Sequence, residues 1–237
     1  MADKQKVLFI LTSHGELGNT GKPTGWYAEE AAEPATILHN AGYELVFASP
    51  KGGAAPLDPG SVEAAKGNQV VESFLNNADF MGKIHNTHKL EDVADRWSEF
   101  VAVVYPGGHG PMFDLQHNKT AQKITAQAYE AGRVVAAVCH GPIALTEVIL
   151  SDGTHLVKGK QVTGFSNVEE EQVKLTDAVP DLLENKFKEY GAHYVIADQP
   201  WGEKVVTDGL IVTGQNPASA EKFGHAIVEA IQASQRK

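Results

Sequence analysis

The sequence has very little cysteine and fewer basic than acidic residues. Cys139 is the only cysteine among 237 residues, so no disulfide can form within the chain, and we expect a reducing compartment. The 20 Lys and Arg residues stand against 30 Asp and Glu residues, which gives a formal net charge of −10. Because nucleic acids attract positively charged surfaces, this balance argues against a nucleic-acid partner.

Long apolar runs are absent as well. No segment approaches the roughly 20 apolar residues that a membrane-spanning helix needs. Residues 1–6 are polar and lead directly into a predicted strand. We therefore expect no membrane partner, no secretory signal and a cytoplasmic protein. At 42% hydrophobic and 21% charged residues, the composition is typical of a globular domain and excludes collagen-like and disordered chains.

The remaining pattern alternates apolar runs of strand length with amphipathic segments. Residues 7–11 form a continuous apolar run, which is typical of a strand buried on both faces of a parallel sheet. A helical pattern over residues 26–40 follows, and Gly42 marks its end. Further strands are predicted at residues 44–48, 101–105, 134–138, 162–165 and 194–197, and as a hairpin at 205–207 and 210–213.

Helices are predicted between the later strands and after the hairpin. They cover residues 119–131 and 182–190, and a last helix runs from Asn216, as its N-cap, toward Ala233. The alternation with short connections indicates a doubly wound α/β sheet. Residues 50–99 are first rich in Gly, Pro and Ala and then weakly helical. We interpret them as a loop and helical insertion in a single domain over residues 1–237.

Cys139 lies where the fourth predicted strand passes directly into a helix. Such a turn resembles a nucleophile elbow, which lifts a side chain out of the sheet at a helix N-terminus. Free amides there favour the thiolate, and a lowered thiol pKa makes sulfur a useful nucleophile near neutral pH. The alternative is a buried, inert cysteine, but a pocket formed with His140 and Gly141 is a poor place to bury an apolar group.

Three loops are expected to meet at Cys139, because ligand sites in such sheets lie beyond the carboxyl ends of the strands. One follows the first strand, one is the glycine-rich run at residues 106–110, and the third contains Cys139 itself. The backbone N–H of His140, with that of Gly108 or His109, can form an oxyanion hole for a small substrate. The His140 imidazole is the candidate base or proton shuttle.

Two groups of acidic residues are candidates to assist the cysteine. His140 needs a carboxylate to orient it, and the acidic run at residues 169–171 follows a predicted strand, with a solvated surface run as the alternative. On the first helix Trp26, Glu30 and Glu33 share one face. A carboxyl on an inward face would have a raised pKa and could donate to the thiolate, whereas solvent exposure is the alternative.

The sequence predicts no cofactor and no metal site. The glycine-rich stretch after the first strand lacks the phosphate-loop pattern, since Glu16 stands where its first glycine belongs and Pro23 follows Lys22. His85 and His88 are three residues apart, a spacing found in metal sites, but no cysteine or second histidine pair accompanies them.

Several separated motifs resemble the ThiJ/PfpI superfamily, and the match extends over essentially the whole chain. The motifs are the elbow at residues 137–142, the loop at 106–110, the Thr-Gly-Phe at 163–165 and the ending at 212–219. Residues 25–34 and the insertion up to Glu99 further resemble the small heat-shock-chaperone class, which includes glutathione-independent glyoxalases (glyoxalase III).

This resemblance implies a flavodoxin-like three-layer α/β/α sandwich with a mostly parallel sheet, of the class I glutamine amidotransferase-like kind. It also implies that Cys139 is a nucleophile, that His140 and Glu170 are its catalytic partners, and that Glu30 is a further acid. Gly108 would supply one oxyanion amide. The implied protein is a homodimeric stress-response enzyme without cofactors. It would act on small dicarbonyls, methylglyoxal and glyoxal, and convert methylglyoxal into lactate through a cysteine hemithioacetal.

Other functions are compatible with the same residues. The thiol could repair glycated protein or nucleotide by attacking an early aldehyde adduct. A holdase chaperone or stress sensor would instead use a cysteine that oxidises to the sulfinate. A peptidase-like hydrolase would also combine cysteine, histidine and an acid. The small residues of the predicted loops favour a small substrate over a peptide.

Overall fold

A mostly parallel sheet runs through the centre of the molecule. The computed structural model describes residues 4–236, and its strands in that range are β1 (Lys6–Ile10), β2 (Glu44–Ser49), β3 (His88–Lys89), β4 (Phe100–Tyr105), β5 (Val134–Val138), β6 (Gln161–Val162), β7 (His193–Tyr194), β8 (Val205–Asp208) and β9 (Ile211–Gly214). Within this range seven strands form one sheet in the order β3-β2-β1-β4-β5-β9-β8, and β6 pairs with β7 separately. Only the β8–β9 pair is antiparallel among the described pairs.

Helices cover both faces of this sheet. In the described part of the chain they are α1 (Ala28–Asn40), α2 (Pro59–Ala64), α3 (Gln69–Leu75), α4 (Ala78–His85), α5 (Leu90–Ala94), α6 (Pro111–Asp114), α7 (Lys119–Glu130), α8 (Ile143–Thr146), α9 (Asn167–Gln172), α10 (Leu183–Glu189) and α11 (Ala220–Ser234). Short 3-10 turns lie at Trp97–Glu99 and Pro217–Ser219. Among residues 4–236, no helix combines the length and the apolar character that crossing a bilayer requires.

The core is divided by the sheet into two layers. Val7 and Phe9 of β1 pack on one side with residues of α1 and α11, while Leu8 and Ile10 pack on the other side with residues of α7, α8 and α10. All four side chains are fully buried. The prediction of a strand covered on both faces is therefore confirmed, as is the doubly wound architecture.

The order of the strands locates the functional end of the sheet. The chain builds outward from β1 to β2 and β3, then crosses back to place β4 on the other side of β1. In open α/β sheets, ligands bind beyond the carboxyl ends of the strands at such a reversal. The loops after β1, β4 and β5 meet there, as the sequence predicts.

Some boundaries differ from the sequence predictions, because tertiary contacts hold the chain extended. The first helix begins at Ala28 rather than at residue 26, since the Trp26 amide donates to Pro56 and the Tyr27 amide donates to Gly107. Strand β7 ends at Tyr194, and the predicted continuation to residue 197 is diverted toward the side chain of Gln215.

Asn216 precedes the 3-10 turn that leads into α11, with Pro217 in the first turn as predicted, but its side chain makes no capping hydrogen bond. The hairpin before it is confirmed. The Asn216 side chain donates to Glu169 and to the Gly202 carbonyl, and helix α11 begins only after a 3-10 turn. At the hairpin, Gly209 has a φ of +63°, in the left-handed region that the tight turn between β8 and β9 requires.

Two helix glycines differ in the space that a side chain would find. A Cβ on Gly224 in α11 would lie 2.9 Å from the backbone Cα of Pro34 in α1, whereas a Cβ on Gly82 in α4 would meet nothing within 4 Å. We expect Gly82→Ala to raise the free energy of unfolding by about 0.5–1 kcal/mol through helix propensity. Gly224→Ala should lower it by about 1–3 kcal/mol, because α1 and α11 must separate. Urea unfolding measures both values, and equal gains would contradict close packing of α1 on α11.

Candidate active site

Cys139 occupies a strained turn between β5 and α8. Its φ is +60°, in the left-handed region that residues other than glycine seldom adopt. Its amide donates to the Gly214 carbonyl at 3.0 Å, and its carbonyl accepts from the Phe165 amide at 2.9 Å. Two neighbouring segments therefore hold the turn, and the predicted passage from strand through turn to helix is confirmed. The residue is buried, with 3% of its surface exposed.

The glycine loop after β4 lies directly against this turn. A Cβ on Gly107 would overlap a carboxyl oxygen of Glu30 and would lie 2.6 Å from Cβ of Cys139, so only a hydrogen fits between them. Gly108 has a φ of +90°, and a side chain there would run into the Gly25 carbonyl. The two glycines thus let the backbone reach the thiol, and the Gly108 amide faces the sulfur.

Glu30 is fully buried in the first turn of α1. Within residues 4–236, neither of its carboxyl oxygens has a partner with full hydrogen-bond geometry, although the Cys139 thiol and the amides of Gly107 and Gly108 face it. Burial raises the pKa of Glu30 well above its usual value, and the thiol and amides offset only part of this rise. Glu30 therefore holds a proton near neutral pH and can donate it toward sulfur.

The thiol itself is not activated in the free protein in the way that the sequence suggests. Burial raises the pKa of Cys139 well above its usual value, and the Gly108 amide opposes the rise. The expected lowering by a helix N-terminus is wrong, because α8 spans only Ile143–Thr146 and its dipole is too weak to outweigh burial. The thiol therefore needs a base to remove its proton.

The His140 ring connects the thiol to Glu170. Its Nδ1 lies 3.4 Å from Sγ of Cys139, and its Nε2 lies 2.5 Å from Oε2 of Glu170. Consecutive residues leaving a strand ordinarily point apart, but the left-handed turn brings these two side chains together. Burial lowers the pKa of His140, and the neighbouring His109 lowers it further, while Glu170 opposes both. The imidazole is thus neutral near pH 7 and able to accept the thiol proton.

Glu170 accepts hydrogen bonds from two imidazoles. Besides His140, Nε2 of His109 lies 2.7 Å from its Oε1, and the centroids of the two rings are 4.0 Å apart. Burial alone would raise the pKa of Glu170, but the two histidines hold it well below its usual value. Its carboxylate is therefore ionised and orients both rings. The sequence pointed to His109 for its backbone amide only, and this side-chain contact was not predicted. Glu171, the third residue of the acidic run, is exposed.

Among residues 4–236, the side chains of His109, His140 and Glu170 form a group that could hold a metal ion. Ligand atoms of His109, His140 and Glu170 all lie within 4.8 Å of one another. Two imidazoles and one carboxylate are a donor set that suits several transition metals. However, N···O distances of 2.5 and 2.7 Å leave no room for an ion that needs bonds of about 2.0–2.2 Å to each ligand. The histidines would have to move away from the carboxylate first.

Glu169 has a structural position, and it points away from these histidines. Its Oε2 accepts from the amide and hydroxyl of Ser166 at the start of α9, which forms a capping box. Its Oε1 accepts from the Trp201 amide at 3.0 Å and from the side-chain amides of Gln215 and Asn216. The alternative acid that the sequence leaves open therefore stabilises loops and has no contact with the thiol.

A cavity of about 220 Å³ opens beside the Cys139 thiol, and its wall includes Tyr27, Gly108, His109, Phe165, Val173 and Trp201. Trp201 has a left-handed φ of +65°, and its indole N–H donates to Gln172. The Phe165 ring packs edge-on against the indole, with centroids 5.5 Å apart. The volume is below the roughly 300 Å³ at which ordinary ligand pockets begin, which favours a small substrate. The cavity wall does not include His140, Glu30 or Glu170.

The raised pKa of Glu30 predicts how the free energy of unfolding changes with pH. A folded-state pKa raised above the unfolded value means that the contribution of Glu30 is present at acidic pH and is lost as pH rises above the unfolded value. Glu30→Gln removes this loss, so its free energy of unfolding relative to wild type should increase between pH 5 and 8, by at most about 1.4 kcal/mol per pH unit. Urea unfolding across this range measures the difference.

The exposed Glu171→Gln serves as the control for that experiment, because it removes one negative charge without touching the site. Its stability curve should run parallel to that of the wild type. If the Glu30→Gln curve is equally parallel, the carboxyl is already ionised in the folded protein and cannot act as a proton donor.

Comparisons with known proteins identify the family of this chain. The model of the DJ-1/PfpI family matches residues 24–230. "Glyoxalase 3" of Candida albicans is 36% identical over 96% of this chain and 98% of its own length. "Glutathione-independent glyoxalase HSP31" of Saccharomyces cerevisiae is 33% identical over 98% of this chain and 100% of its own length. The crystal structure of glyoxalase III from Candida albicans superposes with a TM-score of 0.87 at 33% identity, covering 95% and 96% of the two chains. The chain belongs to the DJ-1/PfpI family.

Proposed function

We propose that this protein is a glutathione-independent glyoxalase that converts methylglyoxal into lactate without a cofactor. The observation that carries this proposal is the Cys139 thiol beside a cavity of about 220 Å³, with the neutral His140 imidazole 3.4 Å from its sulfur. Full-length relatives that are named as glyoxalases support the same activity. The roles given to individual residues are part of the proposal.

The first step is addition of the thiol to the aldehyde. His140 takes the thiol proton on Nδ1, while its Nε2–H stays bonded to ionised Glu170. Sulfur then attacks the aldehyde carbon and forms a hemithioacetal. The new oxyanion accepts hydrogen bonds from the amides of Gly108 and His140, neither of which donates to another backbone carbonyl within residues 4–236. Protonated Glu30 lies against the sulfur and stabilises the anion that forms there.

The second step is an internal redox reaction. A base removes the hydrogen of the first carbon as a proton, and the electron pair of that bond forms a double bond to the second carbon. The carbonyl of the second carbon opens at the same time, and its oxygen takes the thiol proton from His140, which gives an enediolate. A proton then returns to the second carbon. The first carbon is oxidised to a thioester, the second is reduced to an alcohol, and no external oxidant or reductant is needed. Water hydrolyses the lactoyl thioester, which releases lactate and restores the thiol.

The dimensions of the cavity support a small dicarbonyl substrate. A peptide needs an open groove, whereas this cavity has a volume of only about 220 Å³ beside the thiol. Asp58, Gly60 and Ser61 come from residues 50–99 and form part of its wall, so we take this segment to be an insertion that completes the site. We also propose that the protein is a cytoplasmic homodimer without nucleic-acid or membrane partners.

The activity is tested with purified protein, methylglyoxal and a lactate assay, in the absence of glutathione and added metal. We expect the wild type to form lactate, Cys139→Ala to form none, and Glu170→Gln to lose at least about 100-fold in kcat, because the His140 base loses its orienting carboxylate. The exposed neighbour variant Glu171→Gln should keep wild-type activity.

Two results would contradict parts of this proposal. A folded wild type with a free thiol that forms no lactate would refute the glyoxalase assignment. A fully active Glu170→Gln variant beside an inactive Cys139→Ala would remove Glu170 from the mechanism while leaving the cysteine in place.

Trp201 should limit the size of the substrate, because its indole forms part of the cavity wall beside Phe165. We expect Trp201→Gly, which suits the left-handed φ of +65°, to raise kcat/KM for phenylglyoxal relative to methylglyoxal by about 10-fold. Val168→Ala changes another exposed apolar residue, on α9 and outside the cavity wall, and should leave this ratio unchanged. An unchanged ratio in Trp201→Gly would mean that the indole does not restrict the substrate.

A further inference from the structure

Of the three hydrogen-bonded side chains His109, His140 and Glu170, His109 is the one that borders the cavity. The side chain of His109 is 15% exposed and forms part of the cavity wall, whereas those of His140 and Glu170 are 1% and 5% exposed and do not. His109 and Cys139 therefore border the same small space. His109 is thus the imidazole that borders the space that a substrate bound to Cys139 would occupy.

The orientation of the His109 ring is fixed by its contacts. Its Nε2 lies 2.7 Å from Oε1 of Glu170, and its ring meets Phe165 edge-on with centroids 6.0 Å apart. Because the ionised carboxylate requires a donor, a hydrogen of His109 lies on Nε2, and in the tautomer with its one hydrogen there Nδ1 carries a lone pair. Within residues 4–236, Nδ1 of His109 has no hydrogen-bond partner. It is not enclosed by the protein either, so it is accessible from the cavity side or from solvent.

The other candidate bases are already occupied when the second proton must move. His140 has one nitrogen against Sγ and the other against Glu170, so after it has taken the thiol proton it has no lone pair left. Burial keeps Glu30 protonated through the raised pKa of its carboxyl. A hemithioacetal formed at Cys139 therefore needs a third group to remove the hydrogen of its first carbon.

We infer that His109 is the general base of the isomerisation step, an inference that rests on the proposed glyoxalase function. Nδ1 of His109 takes the hydrogen of the first carbon as a proton, and the electron pair of that bond forms the carbon–carbon double bond of an enediolate. Protonated His140 gives the thiol proton to the oxygen of the second carbon in the same step. The imidazolium that results is held by Glu170, and it returns the proton to the second carbon. One carbon–hydrogen bond thus breaks and one forms, the oxyanion of the first carbon becomes the thioester carbonyl, and both imidazoles end as they began. Glu170 serves two bases in turn, His140 for the thiol and His109 for carbon.

The test compares His109→Gln with wild type, since glutamine can still donate to Oε1 of Glu170 but offers no base. We expect kcat for methylglyoxal to fall at least about 100-fold. A primary isotope effect with methylglyoxal deuterated at its aldehyde carbon should grow, because removal of that hydrogen becomes rate-limiting. The alkylation rate of Cys139 by iodoacetamide should stay at the wild-type value, because His140 still serves the thiol. The exposed His117→Gln is the control and should match wild type in all three measurements.

A second variant keeps the inference testable if glutamine disturbs the loop. His109→Ala should be inactive and should regain activity when imidazole is added to fill the vacated space beside Phe165. Wild-type kcat in His109→Gln would overturn the inference, as would a loss of activity matched by an equal loss of thiol alkylation, since His109 would then act on the nucleophile. A wild type that forms no lactate would instead refute the proposed function, so the two failures are distinguishable.

Discussion

The ionised carboxylate of Glu170, buried between two imidazoles, is the interaction on which the rest of the site depends. It accepts from Nε2 of both rings and so decides which nitrogen of each carries the hydrogen. Nδ1 of His140 is left facing the thiol, and Nδ1 of His109 has no hydrogen-bond partner among residues 4–236. The burial of a charge is costly, but two charge-assisted hydrogen bonds offset that cost here. One fixed anion thus orients two imidazole rings for proton transfer in different directions.

The pKa of Glu30 is raised, whereas that of Glu170 is lowered, although both carboxyl groups are buried. Glu30 has no cationic neighbour, its oxygens lack well-formed hydrogen bonds within residues 4–236, and burial raises its pKa. Glu170 lies beside two histidines and its pKa falls. Two carboxyl groups in one site therefore hold different protonation states, one as a donor and one as an anion. The glycine loop makes this possible, because Gly107 lets the Glu30 carboxyl come close to Cys139 without a side chain between them.

The sequence was sufficient for those features that depend on local pattern. The apolar run in β1, the strand before Cys139 and the hairpin at Gly209 each follow from periodicity or from turn chemistry, and all are present. The contact of His109 with Glu170 joins residues 61 positions apart, and no local pattern encodes it. The pKa of Cys139 also escaped prediction, because it depends on burial by distant elements rather than on the helix that follows. Trp201 likewise lines the cavity from a loop whose backbone is held by a hydrogen bond to the distant Glu169.

The adjacency of Glu169 and Glu170 on one turn of α9 has a consequence for how this site can change over evolution. One carboxylate anchors the Trp201 loop and its neighbour orients the two histidines, so a single helical turn carries both the entrance and the proton chemistry. Successive residues on a helix point about 100° apart. Inserting or deleting one residue before this turn would rotate both carboxylates together, and neither duty could be kept. Substrate range can therefore diversify through point substitutions in the loops, whereas insertions and deletions at the start of α9 are not tolerated.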